Sequence, residues 1–403
     1  MKKRTIVLSI LLAMSVSMIA CGSHGNNAQA TTATAAVEEA AGTSEEASVS
    51  TEAAETEAKA EAATETATVE ANAAVTDPES PDYVIELDPQ YNVPTEELLK
   101  KFPIEYQTPA ETELSKKIQN RMLNGFNRWN MGYDAWEHWG EVLYHDDSIY
   151  NVNGVRLTLK EYQQAMDVSL KKLDIRMGTF KNMVLVDDWM AIQYDIVNID
   201  RETGEENPGT TMEFAQFGDY GELGAKVDEG WGGVKNESYS GTMHFQTEEE
   251  QKAQNEFMEE LMNTKLEDTD DLEKKYPVVY PTTIKTEIGK KMKEAILNDF
   301  ENWNSGYEAW NKWADTFYTD DVKMNYLSED ISFDDYKAVV KDQTANTQRV
   351  RINNILVSED WAAIHFWTVT TKEDGTKDAD NHMQFLHFVE DGDGVKVDRC
   401  FMK

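Results

Sequence analysis

His365 alternates with Ala363 and Trp367 along one apolar run, and His387 follows Met383 and Phe385 along the next. A period of two is that of β-strands, so each histidine shares a strand face with large apolar neighbours. Desolvation moves an imidazole or a carboxyl toward the working pH, and two such groups in one pocket make an acid/base pair. Asp195, in an earlier stretch of the same kind, is a third candidate base. That earlier stretch, however, carries Gln193 and Gln216 where the later one has His365 and His387, and Trp367 stands where Asp195 would be. An amide cannot replace an acid/base group, so the two stretches share no mechanism through these positions. Binding is the favoured reading, and an enzyme acting through His365 and His387 is the alternative.

Large aromatic side chains suggest what would be bound. Trp189, Trp231, Trp361 and Trp367, with Gln193 and Gln216, are expected to line a pocket for a small apolar or glycan-like ligand. Trp129, Trp136 and Trp139 recur at helical spacing and are expected in a core, where aromatic rings bury the most area. The run Asp391, Gly392, Asp393, Gly394 lacks the later ligands of a calcium loop and reads as a hairpin turn. The sequence holds no Gly-Lys-Ser/Thr phosphate loop, Cys-x-x-Cys pair or Gly-x-Ser-x-Gly elbow. No metal and no cofactor is expected.

The elements that position these residues occur twice. Phe126 to Trp139 returns as Phe300 to Trp313, with every shared residue shifted equally (303 − 129 = 174). A constant offset over this much sequence marks a duplicated unit. Leu114, Ile118, Met122 and Phe126, and likewise Ile288, Met292, Ile296 and Phe300, form one helical stripe. Gly132 and Gly306 should end those helices. A second helix carries Trp136 and Trp139, and a third spans Leu159 to Leu170 with Tyr162 matching Tyr336. Strands follow, and the offset falls to 172 at Trp189/Trp361 and 171 at Met212/Met383, as hairpin loops of unequal length would produce. The expected fold class is α+β. Residues 95–245 and 269–403 would be two tandem units joined by a helical connector at 246–268.

The front of the chain has a different character. Lys2, Lys3 and Arg4 precede an apolar run from Ile6 to Ile19, whose 14 residues are too few to span a bilayer. The run closes on Ala20 and Cys21. This arrangement resembles the bacterial lipoprotein signal, which implies a signal peptide over 1–20 and a lipid on Cys21. The other cysteine is Cys400. Residues 21–81 are rich in Ala, Thr, Ser and Glu and poor in large apolar residues, so they are expected to form a disordered acidic tether. The net charge of −37 excludes a nucleic-acid surface, which needs Lys and Arg against phosphate.

The repeated run Phe-x-x-Trp-Asn-x-Gly-Tyr-x-Ala-Trp, then Tyr-x-Asp-Asp, then a Trp-bearing strand resembles SnoaL-like domains of the nuclear-transport-factor-2-like superfamily. Lys226, Val227, Asp228, Glu229, Gly230, Trp231 resembles that family's closing strand, and Lys396 to Phe401 departs from it. The resemblance implies cone-shaped units, each with three helices packed on a curved antiparallel sheet around an apolar cavity. It also implies isomerase, cyclase or dehydratase chemistry in some members, with an Asp or His as acid/base, and pairing of sheets in others. The chain is therefore read as a lipid-anchored bacterial membrane protein facing outside the cytoplasm. Its units would bind a small ligand or an envelope protein, and two copies could pair through their sheets. Replacement of Cys21 by Ala is expected to move the protein from the membrane fraction to the soluble fraction. Unchanged membrane retention on fractionation would refute the anchor.

Overall fold

A computed structural model describes residues 76–129, 131–152, 154–232 and 246–403. The segments expected to be a signal peptide and a tether, through residue 75 and including Cys21, lie outside the described residues, as does the expected end of the first unit at 233–245.

Unit 1 runs α1 (Thr95–Lys101), β1 (Ile104–Gln107), α2 (Glu113–Trp129), α3 (Tyr133–Leu143), β2 (Tyr144–Val152), β3 (Val155–Thr158), α4 (Leu159–Lys172), β4 (Leu173–Val186), β5 (Trp189–Asp200), β6 (Glu206–Asp219) and β7 (Ala225–Gly232). It begins earlier than the sequence pattern suggests. Tyr91 is buried, and Asn124 of α2 accepts from the Val93 amide at 3.0 Å. Unit 2 repeats the plan with α6 (Leu272–Lys275), α7 (Glu287–Asn304), α8 (Tyr307–Phe317), β8 (Tyr318–Tyr326), β9 (Glu329–Ile331), α9 (Phe333–Gln343), β10 (Thr347–Ser358), β11 (Trp361–Thr371), β12 (Lys377–Asp391) and β13 (Gly394–Met402). The connector is one helix, α5 (Glu248–Met262). Thr247 and Glu250 close its start as a capping box.

The spatial orders are β1-β4-β5-β6-β7-β2-β3 and β10-β11-β12-β13-β8-β9. The long strands pair antiparallel, and β2 and β8 join β7 and β13 in parallel. Register shifts within β4 and β10 bend both sheets over their helices. Gly132 and Gly306 take φ of +99° and +94°, a region an L side chain avoids, and so turn each first helix into the second. Each unit's core lies between helices and the concave sheet face. Ile118, Trp136, Tyr162, Phe180 and Ile192 are buried in the first, and Met292, Trp310, Tyr336, Ile364 and Phe388 in the second.

The opposite sheet faces are also buried, against each other. Trp189, Phe214 and Trp231 of unit 1 form one apolar cluster with Trp361, Met383 and Phe385 of unit 2. The contact is reciprocal. Tyr106 packs on Trp361 and Phe401 at ring distances of 5.0 and 6.4 Å. Tyr280, its counterpart, packs on Trp189 and Trp231, each at 5.4 Å. Residue i touching j while the counterpart of i touches the counterpart of j is the signature of a two-fold axis, here within one chain. The sheet faces expected to pair two copies are thus occupied by the neighbouring unit.

Because both units share this cluster, Trp361→Ala should destabilise the chain by about 3 kcal/mol or more and shift one common urea transition. Two separate transitions, only one of them displaced, would show that the units fold independently.

Candidate functional site

Strand parity decides which residues reach the interior of each unit. In β11, Ala362, Ile364 and Phe366 face the helices, while Trp361, Ala363 and His365 face the other sheet. His365 is fully buried between the units, 5.5 Å from the Phe214 ring and 5.9 Å from Trp231, with Nδ1 3.3 Å from Asn353 Nδ2. Burial pushes its pKa down to about 3. A neutral imidazole walled in by apolar rings reaches no substrate, so the expected catalytic role fails on access.

His387 lies on the same outer face, at its rim. Its Nδ1 is 2.5 Å from Asp398, its Nε2 is 3.0 Å from Asp360, and its ring centroid is 5.0 Å from that of Trp361. No acid/base pair with His365 exists in either interior. Gln216 donates to Asp188 at 2.9 Å on the outer face of unit 1. Gln193 accepts from Asn182 at 2.5 Å, and Asp195 accepts from Thr210 at 3.1 Å. Both line a cleft between the units rather than a cone. The pocket expected from Trp189, Trp231 and Trp361 is also absent, because these rings form the shared core. Trp367 lies beneath α5, with Phe257 edge-on at 5.5 Å.

The interior of unit 1 holds a different titratable group. Glu213 on β6 points toward the helices and lies deep in the unit, yet keeps accessible surface where Met212, Phe214 and Ala215 keep almost none. The Tyr194 hydroxyl donates to Oε1, and the Tyr150 hydroxyl also bonds the carboxyl. Burial raises its pKa, and the two phenols oppose the rise. Two glycines make the arrangement fit. Glu213 pairs with Gly232 across β6 and β7, and a Cβ on Gly232 or Gly230 would come within 2.3 or 2.5 Å of Tyr150. Only bare backbone there lets the Tyr150 ring lie against the sheet. Tyr162 stacks on Tyr150 at 4.5 Å, and Trp136 meets Tyr162 edge-on at 5.3 Å.

Unit 2 has none of this. The counterparts of Glu213, Tyr194, Tyr150, Gly230 and Gly232 are Gln384, Phe366, Met324, Cys400 and Met402. Deeper in, an ion pair fills the space. Arg349 donates to Asp299 at 2.6 Å and lies over Trp303 at 4.1 Å, and Trp310 donates to the same carboxylate at 3.0 Å. His382 stacks on Phe366 at 5.4 Å with Nε2 3.0 Å from the Thr368 hydroxyl. Burial lowers its pKa to about 4. Among the described residues no cluster of His, Cys, Asp and Glu is arranged to hold a metal, and no helix is long and apolar enough to cross a membrane.

Glu213 was legible in one respect. It is the single charged residue in the run Thr210 to Phe217, and copy two has an amide there. Its face was not legible, because both faces of the strand are covered.

No family model and no curated protein matches the chain. Solved structures similar to it include three that span about one unit's length. A ketosteroid isomerase-like protein from Erwinia carotovora atroseptica is 15% identical over 30% of this chain and 95% of its own, at a TM-score of 0.25. A SnoaL-like polyketide cyclase from Agrobacterium tumefaciens is 13% identical over 29% and 89%, at 0.24. A nuclear transport factor 2-like superfamily protein from Salmonella enterica is 11% identical over 31% and 94%, at 0.24. At these scores the likeness carries no functional weight. The two α+β units stand on the coordinates themselves.

His365 gives a pH signature. Its folded pKa of about 3 lies below the ordinary 6.5, so the unfolded chain binds the extra proton as pH falls. Its contribution is intact above pH 6.5 and is lost progressively down to about 3, and His382 acts in the same direction. His365→Gln, which installs the residue present at Gln193, should reduce the loss of urea stability between pH 7 and pH 4. An unchanged loss would mean that His365 titrates freely.

Proposed function

We propose that unit 1 binds a small, largely apolar molecule carrying one hydrogen-bonding group, which meets the Glu213 carboxyl. Unit 2 serves as its scaffold. A lipid on Cys21 and the acidic tether would hold the pair at the bacterial membrane, outside the cytoplasm. The observation that carries this reading is the asymmetry of the copies. Helices, glycine turns and aromatic core recur, while the buried carboxyl, its two phenols and the glycines that seat Tyr150 occur once. Ligand sites of this type are apolar with a few placed polar groups that fix orientation. A glycan is disfavoured, since the tryptophans that would stack on a sugar are used between the sheets.

Enzymatic proton transfer, in the manner of an isomerase, cyclase or dehydratase, is the second reading. It rests on the same carboxyl, whose raised pKa brings it toward neutrality beside two phenol donors. It no longer rests on His365 or His387.

Fluorescence titration with 2-naphthol, a flat apolar molecule with one hydroxyl, tests the binding reading. Loss of a hydrogen bond to a carboxylate should weaken binding about tenfold in Glu213→Gln, with a smaller loss in Tyr194→Phe. Equal affinity in all three proteins would refute the site. Conversion of cyclohex-3-enone to its conjugated isomer, abolished in Glu213→Gln, would favour the enzyme.

A further inference from the structure

The two-fold relation between the units creates two equivalent grooves along the rims of the paired sheets, and the chain treats them differently. The first lies between β11 and β12 of unit 2 and the β2–β3 hairpin of unit 1. Helix α5 fills it. Phe257 packs on Trp367, Leu261 is buried, and Gln254 donates to the Gly154 carbonyl at 2.6 Å and accepts from the Arg156 amide at 3.2 Å. The second groove is the counterpart made by β4, β5 and β6 of unit 1 with β8, β9 and β13 of unit 2. Among the described residues no helix covers it, and it leaves a cleft of about 500 Å³. That volume falls within the range of small-molecule sites.

Side chains on its walls have changed accordingly. Asp195 stands where the filled groove has Trp367, Asp330 where it has Arg156, and Arg399 where it has Glu229. One aromatic is replaced by a carboxylate, and the Arg156–Glu229 ion pair of the filled groove gives way to an acid and a base with their signs exchanged. The positive pole is built from adjacent cations. Arg399 and Lys323 are register partners across β13 and β8, and like charges paired in this way repel. Arg399 is partly offset by Glu105 at 4.0 Å, and Lys323 makes no ion pair among the described residues. The negative pole is Asp330, while Asp195 on the facing wall lies 3.7 Å from Lys181. Asp330 is paired with Asn325 and accepts its side-chain amide at 2.8 Å. Asn325 lies two residues beyond Lys323 and Asp330 lies one strand further across, so the backbones of Lys323 and Asp330 are about 8 Å apart at a rise of roughly 3.3 Å per residue and a strand spacing of about 4.8 Å. An extended chain of two residues spans about the same distance.

We propose that this open groove binds a small zwitterion of dipeptide size, its carboxylate between Lys323 and Arg399 and its ammonium toward Asp330. The site is separate from Glu213. Its ligand would neutralise the repelling cations and supply the partner that the first groove receives from α5. No bond is made or broken.

Calorimetric titration of the intact protein with alanylalanine, N-acetyl-alanylalanine and alanylalanine amide tests this. The unmodified dipeptide should bind, and each capped form should bind about tenfold more weakly, because each loses one charge-assisted contact. Lys323 and Asp330 are exposed, so Lys323→Met and Asp330→Asn should fold normally by circular dichroism. The lysine variant should distinguish the amide from the free carboxylate more weakly, with Arg399 still present, and the aspartate variant should no longer distinguish the acetylated amine. Absence of binding by alanylalanine at millimolar concentration, or equal binding of all three compounds, would overturn the proposal. Glu213→Gln should leave these titrations unchanged, so the two sites are tested independently.

Discussion

Burial of both faces of both sheets is the constraint from which the rest follows. One face of each sheet is covered by its own helices and the other by the sheet of the second unit. The shared layer holds Trp189, Phe214 and Trp231 against Trp361, Met383 and Phe385. Aromatic rings carry large apolar area per residue, so this layer adds substantially to the two helix–sheet cores. It also restricts where a ligand can bind. Outer-face residues are enclosed at the centre and accessible only along the rims.

Within that frame the copies have diverged by substitution inside a retained backbone. Unit 1 seats Tyr150 over Gly230 and Gly232 and holds the buried Glu213 carboxyl between the Tyr150 and Tyr194 hydroxyls. Unit 2 puts Met324, Cys400 and Met402 in the same places and ties its deeper space with Arg349 and Asp299. A buried ion pair of this kind adds little net stability over apolar packing, but removal of either partner is costly.

The architecture could be read from the sequence because a repeat and a helical stripe are patterns of spacing. Ile118, Met122 and Phe126 recur with Met292, Ile296 and Phe300 whatever lies around them. The site could not be read in the same way. In a strand exposed on one side, polar residues mark the outer face. Here His365 lies between Ile364 and Phe366, all buried, and alternation gives no clue to which face meets the helices. Parity had to come from the packed structure, and it moved His365, Trp189, Trp231 and Trp361 from a supposed cavity to the shared layer. The same parity brought Glu213 inward.

Fusion of the two units into one chain has a consequence for the layer between them. Two separate polypeptides pairing through such faces would come apart on dilution. Halves joined by the α5 connector see each other at an effective concentration fixed by the linker, whatever the amount of protein present. Each half is also encoded separately, so a substitution that opens one interior need not appear in the other.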